Sequence, residues 1–370
     1  MLDNFQNRLQ KSVENLLFQC GDCAPGDKLL IVHETEKDDF YDPHLARAVR
    51  DTAADLGLFA RVYGVPLRRA VTDPDDDLVQ AMQNADCTVF FARLGDQIRF
   101  RAKDASMKQI VSYALDRDML ASTFGTAPYS GFDDLKQLIN AAMAGAEDIH
   151  VTCPEGTDFR GRLNTTPCNM GDTTRKRFPV SVFAPVPAAT FQGTIAQRGF
   201  LTGTGSNYYE PYTCALQDTL LVRFKGNRIT GFDGQPNDIE TARNHYDFVG
   251  KTLGIETDFV HSWHVGIHPG CNYPIAAAHN FERWGGGAFG NPRLLHFHTC
   301  GSYPPGEISL NVPDPTIRLD NVALWENGRL HPERLQDGAA LLARYPDMQN
   351  LFEAPCRNAG LGPDGRLSFA

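Results

Sequence analysis

The sequence predicts two domains: an α/β N-terminal domain with a parallel sheet, then an α+β C-terminal domain with a mainly antiparallel sheet. Three observations carry this expectation. Short apolar runs alternate with amphipathic helical stretches over roughly the first 155 residues. The stretch EGTDFRGRLNTTPCNMGDTTRKRFP, rich in Gly, Thr, Asn and charge, then interrupts the pattern as a loop. Beyond it, strand-like runs follow one another across tight turns. The expected extents are 1–165 and 166–370.

The opening MLDNFQNRLQKSVENLLFQCG is polar with helical apolar spacing, which fits an amphipathic helix and not a signal peptide. LLIVH, after Asp27 and Lys28, has the pattern of a buried strand. PHLARAVRDTAADLG reads as a helix that Gly57 would cap. FARVYGV and ADCTVFFARL read as strands, with the helix DPDDDLVQAMQNA between them. KQIVSYALDRDMLASTF and FDDLKQLINAAMAGAE carry helical spacing, and DIHVTCP reads as another strand. Such alternation implies parallel strands joined by right-handed crossovers. The residues after the first strand are His33-Glu34-Thr35-Glu36, acidic where a GxGxxG would be needed, which argues against a dinucleotide cradle. In the second half, VSVFAPV, TFQGTIAQRGFL, TLLVRFKGNRITGFDG and TIRLDNVALWENGRL read as strands. Lys225-Gly226-Asn227 and Glu326-Asn327-Gly328 have hairpin-turn chemistry. DIETARNHYDFVGKTLG is a helix inserted among them.

The formal net charge of -10 and the single short basic run Arg175-Lys176-Arg177 argue against a nucleic-acid partner. No stretch approaches the ~20 apolar residues of a membrane span, so no membrane partner and a cytoplasmic location are expected. Nine cysteines, from Cys20 to Cys356, lack a framework spacing and are expected to be free thiols. Cys20-Gly-Asp-Cys23 has no second CxxC to complete a zinc site and is assigned a structural role.

The chemistry-bearing feature is a histidine cluster. Six of the eleven histidines (His261, His264, His268, His279, His296 and His298) fall within residues 261–298, in HSWHVGIHPGCNYP, AHNF and RLLHFHTCG. Neutral imidazole is the commonest metal ligand near neutral pH. Residues two apart on a strand share a face, so His296 and His298 can hold one ion, and His264 would complete a facial set. His261 and His268 fit a proton shuttle or a supporting partner of the ligands. His279, with His33, His44, His150, His245 and His331, is read as an ordinary core or surface histidine. Cys271 and Cys300 beside the cluster are open to either thiolate ligation or packing. Asp158 and Glu210 stand in polar loops. Tyr208, Tyr209 and Glu210 suit holding or deprotonating a polar substrate, or equally an edge-strand end with aromatic packing. GTGSNYY lacks the small-x-Ser-x-small elbow, which argues against a serine hydrolase.

PGDKLLIVHE, VTCPEGTDFRGRL, FPVSVFAPVPAATFQGTIAQRG, LVRFKGNRITGFDG and PTIRLDNVALWENGRL occur in an order that spans most of the chain. In that order the sequence resembles the superfamily of aminopeptidase T-type metallopeptidases and iron-dependent 2,5-dihydroxypyridine dioxygenases. The resemblance implies a two-domain fold, a metal in the second domain and a homo-oligomer. It also implies which branch is nearer. Ser181 in FPVSVF and His264 in HVGIHPGCN stand where the peptidases carry glutamate ligands, and losing both carboxylates argues against a two-metal hydrolytic site. The dioxygenase branch has histidine at the second of these positions, so His264 carries over as an iron ligand. That branch's His-x-Asp pair corresponds either to His296-Phe297-His298 or to Glu307 and Ser309 in GEISLNVPDP. Either correspondence leaves a mononuclear site.

The expected function is therefore a non-haem Fe(II) oxygenase that takes O₂ and a small hydroxylated aromatic or N-heteroaromatic substrate. His264, His296 and His298 would hold the metal, while Tyr209, Glu210 and His261 would handle protons. The alternatives are a zinc or manganese hydrolase of the aminopeptidase type and a metal- or ligand-binding protein without catalysis.

Overall fold

The computed structural model describes residues 2–36, 39–70, 73–99, 101, 107–163, 173–301 and 307–369. Cys168, the 164–172 portion of the expected loop and residues 302–306 after the HFH motif lie outside the described residues. The chain forms two compact units, Met1–Asp133 with Thr173–Ser181, and Asp134–Asp172 with Val182–Ala370.

In the first unit the amphipathic helix Leu2–Glu14 runs into a π-helical stretch, Asn15–Cys20. The sheet is five-stranded and parallel, in the order Phe59–Val65, Lys28–Glu34, Cys87–Phe91, Lys108–Ser112, Lys176–Phe178. Cys87–Phe91 is buried along its whole length, as expected of a parallel strand covered on both faces. Two expectations need correction here. KQIVS is a strand and not the start of a helix; helical structure resumes only at Arg117–Leu120. Ile110 and Val111, both buried, continue the ladder beside Cys87–Phe91, and pairing overrides the helical spacing. Lys176–Phe178 is likewise a strand inside the expected loop. At the carboxyl end of Lys28–Glu34, the Glu34 carboxylate accepts the Arg93 backbone N–H at 2.8 Å and pairs with its guanidinium at 2.8 Å.

Among its described residues the second unit holds two antiparallel sheets. One has six strands, in the order Thr213–Ala215, Phe200–Gly203, Ile308–Pro313, Leu294–Thr299, Val260–Val265, Val186–Pro187. The other has eight, in the order Arg228–Asp233, Leu220–Lys225, Gln192–Gln197, Asp158–Gly161, Ile149–Thr152, Thr316–Leu319, Val322–Glu326, Arg329–Leu330. Both hairpin turns form, and Asn327 and Gly328 take positive φ of 48° and 69°, the left-handed pair that an Asn-Gly hairpin requires. DIHVTCP is a strand, Ile149–Thr152, but it pairs antiparallel with Asp158–Gly161 and Thr316–Leu319. The division between the units therefore falls at Asp133 and Asp134, within the helix Tyr129–Gly145, and not at residue 165. The physical cause is a strand partner far downstream, at Thr316–Leu319. Of VSVFAPV only Val186 lies in a named strand, Val186–Pro187.

The core of this unit is aromatic. The Phe159 ring lies 5.5 Å from Trp263, 5.4 Å from Phe297 and 5.6 Å from Phe224, each edge to face. Gly193 stands directly opposite Phe159 with φ of 144°; a Cβ there would lie 2.5 Å from the Phe159 Cα, so only glycine fits. Phe159→Ala is expected to cost about 3–5 kcal/mol. The check is the denaturant midpoint, which should fall without a change in slope.

Candidate metal centre

Strand alternation builds the site. In Val260–Val265 and Leu294–Thr299, Trp263 and Phe297 face each other across the ladder and point into the aromatic core. The intervening residues face the other way. Register sets His264 directly opposite His296, and Ser262 opposite His298; on the third strand, Asn311 lies opposite His296 and Ser309 opposite His298. One sheet thus has an apolar face that packs and a polar face that is nonetheless buried, with His264 4%, His296 4% and His298 7% exposed.

One nitrogen from each of His264, His296 and His298 lies within 4.8 Å of the others, so the three could hold a metal ion. The His264 and His296 rings are 3.9 Å apart, and Phe289 stacks on His296 at 4.3 Å. Tautomers follow from the surroundings. His264 Nδ1 is 3.2 Å from the Phe183 carbonyl, which can only accept, so Nδ1 carries the proton and Nε2 its lone pair. His298 Nδ1 is 3.4 Å from Glu307 Oε1, a charge contact without hydrogen-bond geometry. The His264 and His298 Nε2 atoms face each other at 3.2 Å, within hydrogen-bond distance. Two lone pairs at that distance repel unless a proton or a cation lies between them. Two imidazole nitrogens bound at ~2.0–2.1 Å to one tetrahedral ion would stand about 3.3 Å apart. The donor set fits a metal.

Ser309, His268, Cys271 and Cys300 are neutral groups. The Ser309 hydroxyl donates to Asn311 Oδ1 at 3.0 Å. His268 is 1% exposed, accepts the Gly270 N–H at Nδ1 and has its pKa pushed down by burial to about 3. Burial lifts Cys300 to about 12 and raises Cys271 further, and the Cys271 thiol donates to the Gly287 carbonyl at 3.2 Å. Both sulfurs are protonated packing groups. Cys20, Cys23, Cys87, Cys153, Cys214 and Cys356 are likewise free.

The other expected site residues are placed as follows. His261 sits where the ladder of its strand shifts register, partly buried, with Nδ1 2.7 Å from Ser262 Oγ and its pKa lowered by burial. Tyr209 is buried, its hydroxyl donates to the Glu307 carbonyl at 3.1 Å, and desolvation holds its pKa well above the usual phenol value. Glu210 is exposed and accepts from Asn207 Nδ2 at 3.4 Å. Asp158 is exposed and lies 2.8 Å from His150 Nε2 in the eight-stranded sheet. His279 is exposed. Two contributors carried no sequence signal: the Phe183 carbonyl and the stacked Phe289. Among the described residues no helix is long and apolar enough to cross a membrane.

No protein-family model matches the chain, and no curated protein matches its sequence. Its structure is similar to that of 2,5-dihydroxypyridine dioxygenase from Pseudomonas putida KT2440, with a TM-score of 0.57 and 12% identity over 88% of this chain and 97% of that one. AmpT from Thermus thermophilus aligns at a TM-score of 0.44 and 10% identity, over 88% of this chain and 99% of that one. The chain has the fold of the solved dioxygenase, a parallel α/β part with an antiparallel α+β part, as the order of its sequence motifs implied.

Proposed function

We propose that the chain is a mononuclear non-haem Fe(II) oxygenase acting with O₂ on a small hydroxylated aromatic or N-heteroaromatic substrate. The observation that carries the reading is the convergence of the His264 and His298 Nε2 atoms at 3.2 Å, with His296 beside them. An all-imidazole set of three leaves coordination positions open, and ferrous iron held there would supply redox chemistry and a place for substrate to chelate. The chain's own residues do the rest. The Phe183 carbonyl takes the His264 Nδ1 proton and leaves Nε2 for a metal, while the Glu307 carboxylate stands 3.4 Å from His298 Nδ1. Burial keeps His261 neutral near pH 7, so it is able to take a proton from a substrate hydroxyl. Tyr209 stays a phenol and acts as a donor, not a base. Glu210, open to solvent, is the carboxylate assigned to proton exchange.

The test is reconstitution with Fe(II) under anaerobic conditions, followed by oxygen uptake with a panel of dihydroxylated aromatics and dihydroxypyridines. Uptake that requires both iron and one of these substrates is expected. Three histidines are also a hydrolytic zinc set, which supplies the second reading. Stoichiometric zinc in the protein as isolated, with peptide or amide cleavage and no oxygen uptake, would decide for it. Tight metal binding with neither activity would assign the chain to a binding role.

A further inference from the structure

We propose that Glu307 is a positioning residue for His298 and not a metal ligand. The inference rests on the metal-site reading above. Glu307 Oε1 lies 3.4 Å from Nδ1, whereas Nε2 on the far side of the same ring faces His264. The carboxylate therefore stands behind the imidazole as seen from the point where the nitrogens converge. It is itself buried, 4% exposed in its side chain. Its main chain is anchored by the Tyr209 hydroxyl, which donates to the Glu307 carbonyl at 3.1 Å. Glu307 precedes Ile308–Pro313, the strand that pairs with Leu294–Thr299, so the ladder carrying His298 also fixes the carboxylate. A carboxylate behind a ligating histidine does three things: it selects the tautomer, fixes the ring plane and raises the basicity of the nitrogen that binds. His264 faces a neutral carbonyl at 3.2 Å, whereas His298 faces a carboxylate at 3.4 Å.

The experiment is Co(II) titration of the metal-free full chain, wild type and Glu307→Gln, with X-ray absorption to count donors and metal-free melting curves to check folding. Glu307→Gln is nearly isosteric and removes only the charge. Co(II) binding about 10–100-fold weaker is expected, with the nitrogen and oxygen donor counts unchanged. Unchanged affinity would overturn the inference while leaving the metal site intact. Loss of one oxygen donor would overturn it by making Glu307 a ligand. A wild-type chain that takes up no Co(II) would overturn the metal-site reading itself. Should the variant fail to fold, the wild type still decides. Long-range ¹H–¹⁵N NMR of metal-free protein is expected to show His298 protonated at Nδ1, and protonation at Nε2 alone would refute the role.

Discussion

His264→Ala is expected to abolish retention of the metal ion, with affinity falling roughly a hundredfold to a thousandfold. A four-ligand zinc site is worth ~10–16 kcal/mol, so one ligand accounts for about 3–4 kcal/mol when the total is shared evenly. His264 is the one ligand from Val260–Val265, and it supplies one of the two nitrogens that converge at 3.2 Å. Without it, His296 and His298 remain as two ligands on one strand, a pair that exchanges its ion readily. The metal-free variant loses the contacts to the Phe183 carbonyl and to His298, so its melting temperature is expected to fall modestly. Metal content after dialysis, read against the melting temperature of the metal-free form, separates the two effects. His279→Ala, at an exposed position, is the control and should keep the ion. A His264→Ala chain that retains a full equivalent of metal would remove this histidine from the site.

Acidification is expected to destabilise the metal-free protein steeply below pH 6.5. His245 and His268 are both buried, and burial pushes their pKa values down from 6.5 to about 4 and about 3. Both folded-state values lie below the unfolded value, so the unfolded chain binds more protons in this range and stability rises with pH. The contribution is complete above the unfolded pKa of 6.5 and is lost as pH falls toward the folded values. Each histidine contributes about 1.4 kcal/mol per pH unit between those limits, on the order of 3 kcal/mol per unit for the pair. Urea unfolding at pH 7, 6, 5 and 4.5 should follow that slope. His268→Gln should lower stability at pH 7, because it disturbs the acceptor for the Gly270 N–H, yet roughly halve the slope. A slope unaltered by that change would mean that other groups govern the acid transition.

Much of the fold was legible in local sequence, because local rules govern it. Alternating apolar runs and helices marked the parallel sheet, and the strands around Leu29, Phe59 and Cys87 follow them. Asn327-Gly328 marked a hairpin because few residue pairs accept two successive left-handed conformations. KQIVS misled because a short apolar run with β-branched residues reads either way until a neighbouring strand pairs with it. The boundary at 165 failed for a related reason: Ile149–Thr152 looks like one more strand of the first half until its antiparallel partner at Thr316–Leu319 is known.

The candidate metal centre divides along the same line. By itself the sequence determined that histidines crowd residues 261–298, and that His296 and His298 share a face, since a strand's period of two is a local property. Only the tertiary structure decided that His264 lies directly opposite His296, that the Phe183 carbonyl holds His264, and that Glu307 stands behind His298. These are cross-strand and loop contacts. They depend on register between segments tens of residues apart, and register is chosen by which face can bury Trp263 and Phe297 in the aromatic core. That choice turns the histidines together onto the opposite face.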